Sequence, residues 1–366
     1  MRTRIRAAVL RDVPGQLTLE ELGADSPRGT EVAVRPVYVG LCHSDQHYLS
    51  GNWATALPTV MGHEAAGVIA AVGEMVTTVK PGDRVVVSPT SPCGLCDYCI
   101  VGRSTLCSRR DERRRRAEPV LTDSSGDAVV PFAGLGAFAE IMLVQESATA
   151  VLPDSVPLSV GCLLGCCVMT GVGAVIHTAQ VQAGSSVAII GCGGVGMSII
   201  QGARLAGAAV IIAIDLDARK LERAVRFGAT HTIDPKAGRL LDAVHTITGR
   251  GVDYAFEAVG TKQTAEGAFQ LLAPAGVATI VGLVPEGQHV EVPADALFFE
   301  EKRLQGSYMG SNNFRIDVGA YTRLYTQGRL LLDEMVSGII TLDEINEGFS
   351  AMQSADVTRI VVNMQG

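Results

Sequence analysis

Residues 186–196 read SVAIIGCGGVG and run on into MSIIQGARLAGA over 197–208. Val187 to Ile190 form an unbroken apolar run, as expected of a strand buried on both faces. In the glycine turn, Gly191 permits a tight reversal and Gly193 lets the backbone approach a bound group. Gly196 allows close helix–strand packing, with Gly194 and Val195 completing the turn. A helix opening there presents unpaired N–H groups and the positive end of its dipole, which suit a phosphate. The next apolar run, AAVIIAID (208–215), ends in Asp215, 19 residues past Gly196. A carboxylate at that spacing accepts hydrogen bonds from ribose hydroxyls and repels a 2′-phosphate. The pattern points to a dinucleotide site selective for NAD over NADP. The plainer alternative is a structural turn followed by a strand-end aspartate.

Outward from this turn, strand and helix patterns alternate. A charged helix is expected around Arg219–Phe227, a short strand at HTI (231–233) and a helix at RLLDAVHTI (239–247). Strands are expected at VDYAFEA and GVATIVGL. Such alternation implies a doubly wound parallel sheet covered on both faces. The front of the chain differs. EVAVRPVYVG, AAGVIAAVG and DRVVVS are β-like segments separated by glycines and by Pro81-Gly82-Asp83, which suggests an irregular β-barrel. Beyond Met309 a helix is expected at VGAYTRLYTQGRL (318–330), then INEGF and a last strand, RIVVNM.

With 366 residues, 47% hydrophobic and 19% charged, the chain has the core of a two-domain globular protein rather than a disordered one. A net charge of −8 argues against a nucleic-acid partner. The start, MRTRIRAAVLRDVPG, lacks the apolar run of a secretory signal, and no uninterrupted apolar window of about 18 residues suggests a membrane span. The expectation is a soluble, cytoplasmic protein.

The nine cysteines are unevenly spread. Cys93, Cys96, Cys99 and Cys107 fall within one loop, with Gly94 and Gly102 between them. Four thiolates at this spacing form a closed tetrahedral zinc site whose binding energy folds the lobe 93–107 and leaves no position for substrate. Elsewhere, Cys42-His43-Ser44-Asp45 and Gly62-His63-Glu64 stand about twenty residues apart beside β-like segments. A thiolate and an imidazole are two of the three ligands that an open zinc site needs. Equally, such a histidine is often a hydrogen-bonded core residue.

Taken together, these motifs resemble the medium-chain, zinc-dependent alcohol dehydrogenases over nearly the whole chain, from Cys-His-Ser-Asp to INEGF. The resemblance implies a GroES-like β-rich catalytic domain over 1–167 and 309–366 and a Rossmann NAD-binding domain over 168–308, with the active site in the cleft between them. It implies two zinc ions per chain, and Cys166, in Leu-Gly-Cys-Cys-Val-Met-Thr-Gly (164–171), as third ligand beside Cys42 and His63. Cys167 stands where the family commonly has glycine, so a competing thiol adjoins that ligand; Cys162 is also near and reads as a buried thiol.

The same resemblance implies hydride transfer between an alcohol and NAD, giving an aldehyde or ketone. Ser44 would take the substrate proton and His47 would deliver it to solvent; Asp45 would orient His63, and Glu64 would adjoin the metal. His43 and Arg359 fall at pyrophosphate-contacting positions, Thr170 near the nicotinamide, and Asp217 and Lys220 on the adenosine side. A histidine at 43 in place of arginine pairs less strongly with phosphate above neutral pH. Trp53, Pro89, Phe138, Leu283 and Tyr308 fall at pocket positions, hinting at a medium-sized primary alcohol, aromatic or allylic; Trp53 reads equally well as core. A homodimer is implied through the nucleotide domains near strands 276–304, with a tetramer as the alternative.

Arg109, Arg110 and Arg113 to Arg116 follow the cysteine lobe. They read as a solvated loop, or as a guanidinium cluster for an anionic substrate such as the thiol adduct used by the related formaldehyde dehydrogenases. Two further readings stay open. One is a nicotinoprotein that never releases NAD; the other is a non-catalytic zinc- and NAD-binding protein.

Overall fold

The computed structural model describes residues 2–114, 116–352, 354 and 356–366, without the side chains of Arg113 and Arg114. Of the arginine run, those two side chains and all of Arg115 therefore lie outside the described residues. The chain divides into two compact units: 1–166 with 313–366, and 167–312.

The first unit begins with strands β1 (Thr3–Leu10), β2 (Leu17–Ala24) and β3 (Glu31–Gly40), then helix α1 (His43–Leu49). Strands β4 (Thr59–Val60), β5 (Ala65–Val72) and β6 (Arg84–Val87) follow. The cysteine lobe carries the short helix α2 (Asp97–Ile100), and α3 (Arg110–Arg114) follows it. Next come β7 (Leu121–Thr122), β8 (Ala128–Pro131), β9 (Met142–Gln145), β10 (Thr149–Val151) and helix α4 (Leu158–Gly161).

The second unit runs from α5 (Cys167–Gly173) through β11 (Ser186–Ile190), α6 (Gly194–Ala206), β12 (Val210–Ile214), α7 (Ala218–Phe227) and β13 (His231–Ile233). It continues with α8 (Leu240–Thr248), β14 (Val252–Glu257), α9 (Lys262–Gln270), β15 (Leu272–Ile280), α10 (Ala294–Phe299) and β16 (Arg303–Gly306). The first unit is then completed by α11 (Phe314–Thr326), β17 (Val336–Thr341), α12 (Ile345–Ala351) and β18 (Arg359–Asn363).

In the first unit β1, β2, β7, β8 and β4 close into a small barrel, and a second sheet runs β10-β6-β5-β3-β18-β17 with β9 also paired to β3. Val32, Val34, Val39, Ile69, Val85, Val87 and Val362 point into one buried cluster. In the second unit the strands are parallel in the order β13-β12-β11-β14-β15-β16. The order reverses between β11 and β14, which creates the crevice at the strand carboxyl ends where such sheets bind ligands.

Two helices sit differently from their sequence reading. The helix read over 196–208 spans Gly194–Ala206, because Gly193 supplies its N-cap and Gly207, at φ +82°, terminates it in the left-handed region. The helix read over 318–330 spans Phe314–Thr326; Gly328, at φ +67°, turns the chain beyond it. Among the described residues no single helix is long and apolar enough to cross a membrane.

Candidate functional site

Three loops of the first unit bring Cys42, His63 and Cys166 together. Cys42 leaves β3 in an extended conformation and forms the N-cap of α1. His63 and Glu64 follow Gly62, whose φ of +93° favours glycine and whose missing Cβ would lie 2.8 Å from the Phe138 ring. Gly40 is needed for a different reason: a Cβ there would sit 2.4 Å from Glu64 Oε1. Cys166 ends a short 3₁₀ turn at 162–165, where Gly165 packs on the Val87 carbonyl.

The ligand atoms of Cys42, His63 and Cys166 all lie within 4.8 Å of one another, and all three residues are buried. Cys166 Sγ is 3.4 Å from His63 Nε2. On the other side of the ring, His63 Nδ1 meets Asp45 Oδ1 at 3.0 Å, and Asp45 is fully enclosed. That bond turns Nε2 towards the thiols, in the orientation a metal-binding imidazole requires. The Cys42 thiol is held well below its ordinary value, first by the hydrogen bond with Cys166, against burial, and then by Arg359 and His63. A buried thiolate and a fixed imidazole suit zinc.

Arg359 forms a buried ion pair within the first unit. Expected at a cofactor pyrophosphate, it is only 2% exposed, with Nε 3.3 Å from Glu64 Oε1 and Nη2 3.6 Å from Cys42 Sγ. Glu64 is also fully buried. Two desolvated charges need each other, so the pair forms inside the first unit instead of facing outward.

The proton-relay candidates occupy α1. Ser44 Oγ lies 3.6 Å from Cys42 Sγ, and Asn52 Nδ2 is 3.4 Å from His47 Nδ1. Burial lowers the His47 pKa, only partly offset by Cys42. His43 is exposed.

In the cysteine lobe the four thiols also lie within 4.8 Å of one another. Cys93 Sγ accepts from the N–H groups of Leu95 and Cys96, at 3.3 and 3.2 Å. Gly94 and Gly102 adopt φ values of +74° and +81°, which let the loop wrap inward. Backbone N–H groups of Cys99 and Ser108 bring the Cys96 thiol down to about 5. Such N–H···S bonds prepare thiolates for a closed metal site.

The glycine turn lies wholly in the second unit. Gly191 has φ +95°, a Cβ on Gly196 would lie 1.8 Å from the Gly191 carbonyl oxygen, and a Cβ on Gly193 would meet nothing within 4 Å. The open space beside Gly193 is where a pyrophosphate could approach. Asp215 accepts from Cys192 N–H at 2.8 Å and from Asp217 N–H at 3.1 Å, which fixes the carboxylate beside the turn. Asp217 caps α7 through Arg219 N–H, Lys220 is half-buried on that helix, and Thr170 is buried with Oγ1 3.7 Å from Met309 Sδ.

Of the pocket candidates, Phe138 is fully buried and edge-on to Phe349. Pro89 is buried, Trp53 and Leu283 are half-buried, and Tyr308 is 47% exposed. The sequence reading missed Phe132, whose ring stands edge-on to His63 at 5.8 Å and to Tyr48 at 4.7 Å. Its only sequence signal was a lone aromatic ahead of a glycine-rich turn.

Comparison with known proteins agrees with this architecture. Residues 28–154 match the alcohol dehydrogenase GroES-like domain, and residues 194–323 match the zinc-binding dehydrogenase domain. The S-(hydroxymethyl)glutathione dehydrogenase of Saccharomyces cerevisiae is 34% identical over 97% of this chain and 95% of its own length. Among solved structures, an alcohol dehydrogenase zinc-binding domain protein from Burkholderia ambifaria superposes with a TM-score of 0.94, at 33% identity over 100% of both chains. Benzyl alcohol dehydrogenase from Acinetobacter calcoaceticus superposes with a TM-score of 0.91, at 31% identity over 99% of both. The chain belongs to the zinc-dependent, medium-chain alcohol dehydrogenase family. It is an oxidoreductase whose family acts on small-molecule alcohols.

Proposed function

We propose that this protein oxidises a medium-sized primary alcohol, aromatic or allylic, with NAD as acceptor, and catalyses the reverse reduction. The reading rests above all on the buried set Cys42, His63 and Cys166, with Asp45 fixing the imidazole. In this reading 1–167 and 309–366 form the catalytic domain and 168–308 the nucleotide domain. Cys42, His63 and Cys166 would hold a zinc ion that would supply Lewis-acid chemistry, and the nucleotide domain would hold the NAD that would supply the hydride chemistry.

The residues of the chain divide the remaining work. Cys42, His63 and Cys166 would hold the catalytic ion, while Cys93, Cys96, Cys99 and Cys107 would hold the structural one. Ser44 accepts the hydroxyl proton, and His47, its pKa lowered by partial burial, passes it to solvent. The turn Gly191–Gly196 binds the pyrophosphate, Asp215 selects NAD, and Lys220 adjoins the adenosine. His43 contacts phosphate, Thr170 lies near the nicotinamide, and Trp53, Pro89, Leu283 and Tyr308 shape the pocket. Likeness to benzyl alcohol dehydrogenase supports an aromatic substrate. Exposed Phe298 and Phe299, beside the edge strand β16, support a homodimer formed through the nucleotide units. The protein would work in the cytoplasm.

The yeast relative favours a second reading, oxidation of a formaldehyde–thiol adduct. The arginine run lends this limited support, because Arg116 is already tied to Asp25 at 3.0 Å and Glu31 at 3.5 Å.

The test is NADH absorbance with aliphatic, allylic and aromatic alcohols and with S-(hydroxymethyl)glutathione, using wild type and Cys166→Ser. Turnover of an aromatic alcohol that disappears in the variant supports the first reading. Turnover of the adduct alone replaces it with the second.

A further inference from the structure

Glu257 closes β14, between the strand-end loops of β11 and β15, and is fully buried. Its Oε1 accepts from Val259 N–H at 2.8 Å, Gly260 N–H at 2.7 Å and the Thr264 hydroxyl at 2.7 Å. Oε2 is closed to solvent and has no hydrogen-bond partner among the described residues. Buried oxygens are normally partnered, so a carboxylate that concentrates three donors on one atom calls for a functional explanation.

Three glycines crowd around it. A Cβ on Gly282 would lie 2.5 Å from Glu257 Oε2 and 2.4 Å from Gly260 N. A Cβ on Gly260, at φ +88°, would lie 2.7 Å from the Leu283 carbonyl oxygen. A Cβ on Gly191 would lie 2.7 Å from Val259 Cγ2 and 3.1 Å from the Ala258 carbonyl. Loop 258–260 therefore touches both the phosphate turn and the loop after β15. Val281 and Gly282 also donate to the Glu257 carbonyl, at 2.9 and 3.0 Å. The loop follows β14, which together with β11 flanks the reversal in strand order, so it forms one wall of the crevice.

From this we infer that Glu257 is a positioning residue for the dinucleotide: through Val259, Gly260 and Thr264 it fixes the β14 wall of the crevice against the Gly191 turn. The inference rests on the proposed NAD site. It does not require Glu257 to touch the cofactor. Without the carboxylate the two loop N–H groups lose their acceptor, the loop acquires alternative conformations, and NADH must order it on binding.

The test titrates NADH fluorescence with wild type, Glu257→Ala and Glu257→Gln, alongside zinc content, melting temperature and amide exchange at Val259 and Gly260. Glu257→Ala should weaken NADH about tenfold to a hundredfold. Exchange at the two amides should rise, and KM for NAD should increase more than KM for alcohol. Glu257→Gln keeps an acceptor at the same place and should restore affinity to within about threefold of wild type. A folded, zinc-replete Glu257→Ala protein that binds NADH as wild type does would overturn the inference, even with a lower melting temperature. If that variant does not fold, Thr264→Val removes one donor and leaves the carboxylate: a severalfold weaker NADH affinity supports the inference, and an unchanged one overturns it. Wild type that fails to bind NADH would overturn the dinucleotide reading itself, and this inference with it.

Discussion

Asp45 and His63 are joined by a 3.0 Å contact between Oδ1 and Nδ1, and both side chains are buried. The bond fixes which face of the imidazole is offered to Cys42 and Cys166. Asp45→Asn keeps the size but loses the charge. It should weaken zinc affinity about tenfold to a hundredfold, as measured by chelator competition at the catalytic site. Unchanged zinc retention would mean that packing against Phe132 alone orients the ring.

The four thiols of the cysteine lobe are gathered closely enough to hold one metal ion. Cys107→Ser should lower bound zinc from two ions per chain to one. Amide protection should be lost across residues 93–107 while the strands of the second unit keep theirs. Hydrogen exchange with mass spectrometry measures both regions at once. Loss of protection in β11 and β14 as well would show that the lobe supports more than itself.

Glu146 makes an acid-side prediction. Burial raises its pKa, but the Thr78 hydroxyl, the backbone N–H groups of Thr78 and Thr77, and Arg315 more than offset this and leave it lowered. A depressed folded-state value contributes stability above the unfolded glutamate pKa, and that stability is lost as pH falls through the folded value. Glu146→Gln should therefore melt below wild type at neutral pH. The gap should narrow once pH drops below the reference value of 4.5. Melting curves at a series of pH values measure it; a gap that is constant with pH would assign the effect to packing.

The proposed role of Asp215 in choosing the cofactor can be tested directly. Its oxygens are held by Cys192 and Asp217 N–H groups, which fixes the negative charge beside the glycine turn. Asp215→Ala should reduce the preference for NAD over NADP by about tenfold or more, measured as the ratio of kcat/KM values. An unchanged ratio would move cofactor selection to α7, where Lys220 lies.

Much of this was legible in the sequence because glycine and cysteine carry their reasons with them. Gly191 and Gly196 announce a turn that side chains cannot occupy, and four thiols in one loop have few other uses. Strand β11 was readable at both ends, since Val187–Ile190 is apolar throughout and glycine follows it directly. The pairing of Arg359 with Glu64 was not readable. Residues nearly 300 apart meet only because β18 lies beside β3. The approach of Phe132 to His63 was hidden too. The adjoining Ala133, Gly134 and Gly136 are left-handed, and nothing in the composition of that stretch marks Ala133 for a positive φ.

Strand β18 supplies Arg359 and lies between β3 and β17, yet it is synthesised after all of residues 167–312. On the ribosome the parallel sheet of the second unit can therefore form while the first unit still has a gap in its own. Until β18 emerges, Arg359 cannot reach Glu64 or Cys42. Translation order thus lets the parallel-sheet unit form early and completes the surroundings of the Cys42, His63 and Cys166 cluster late.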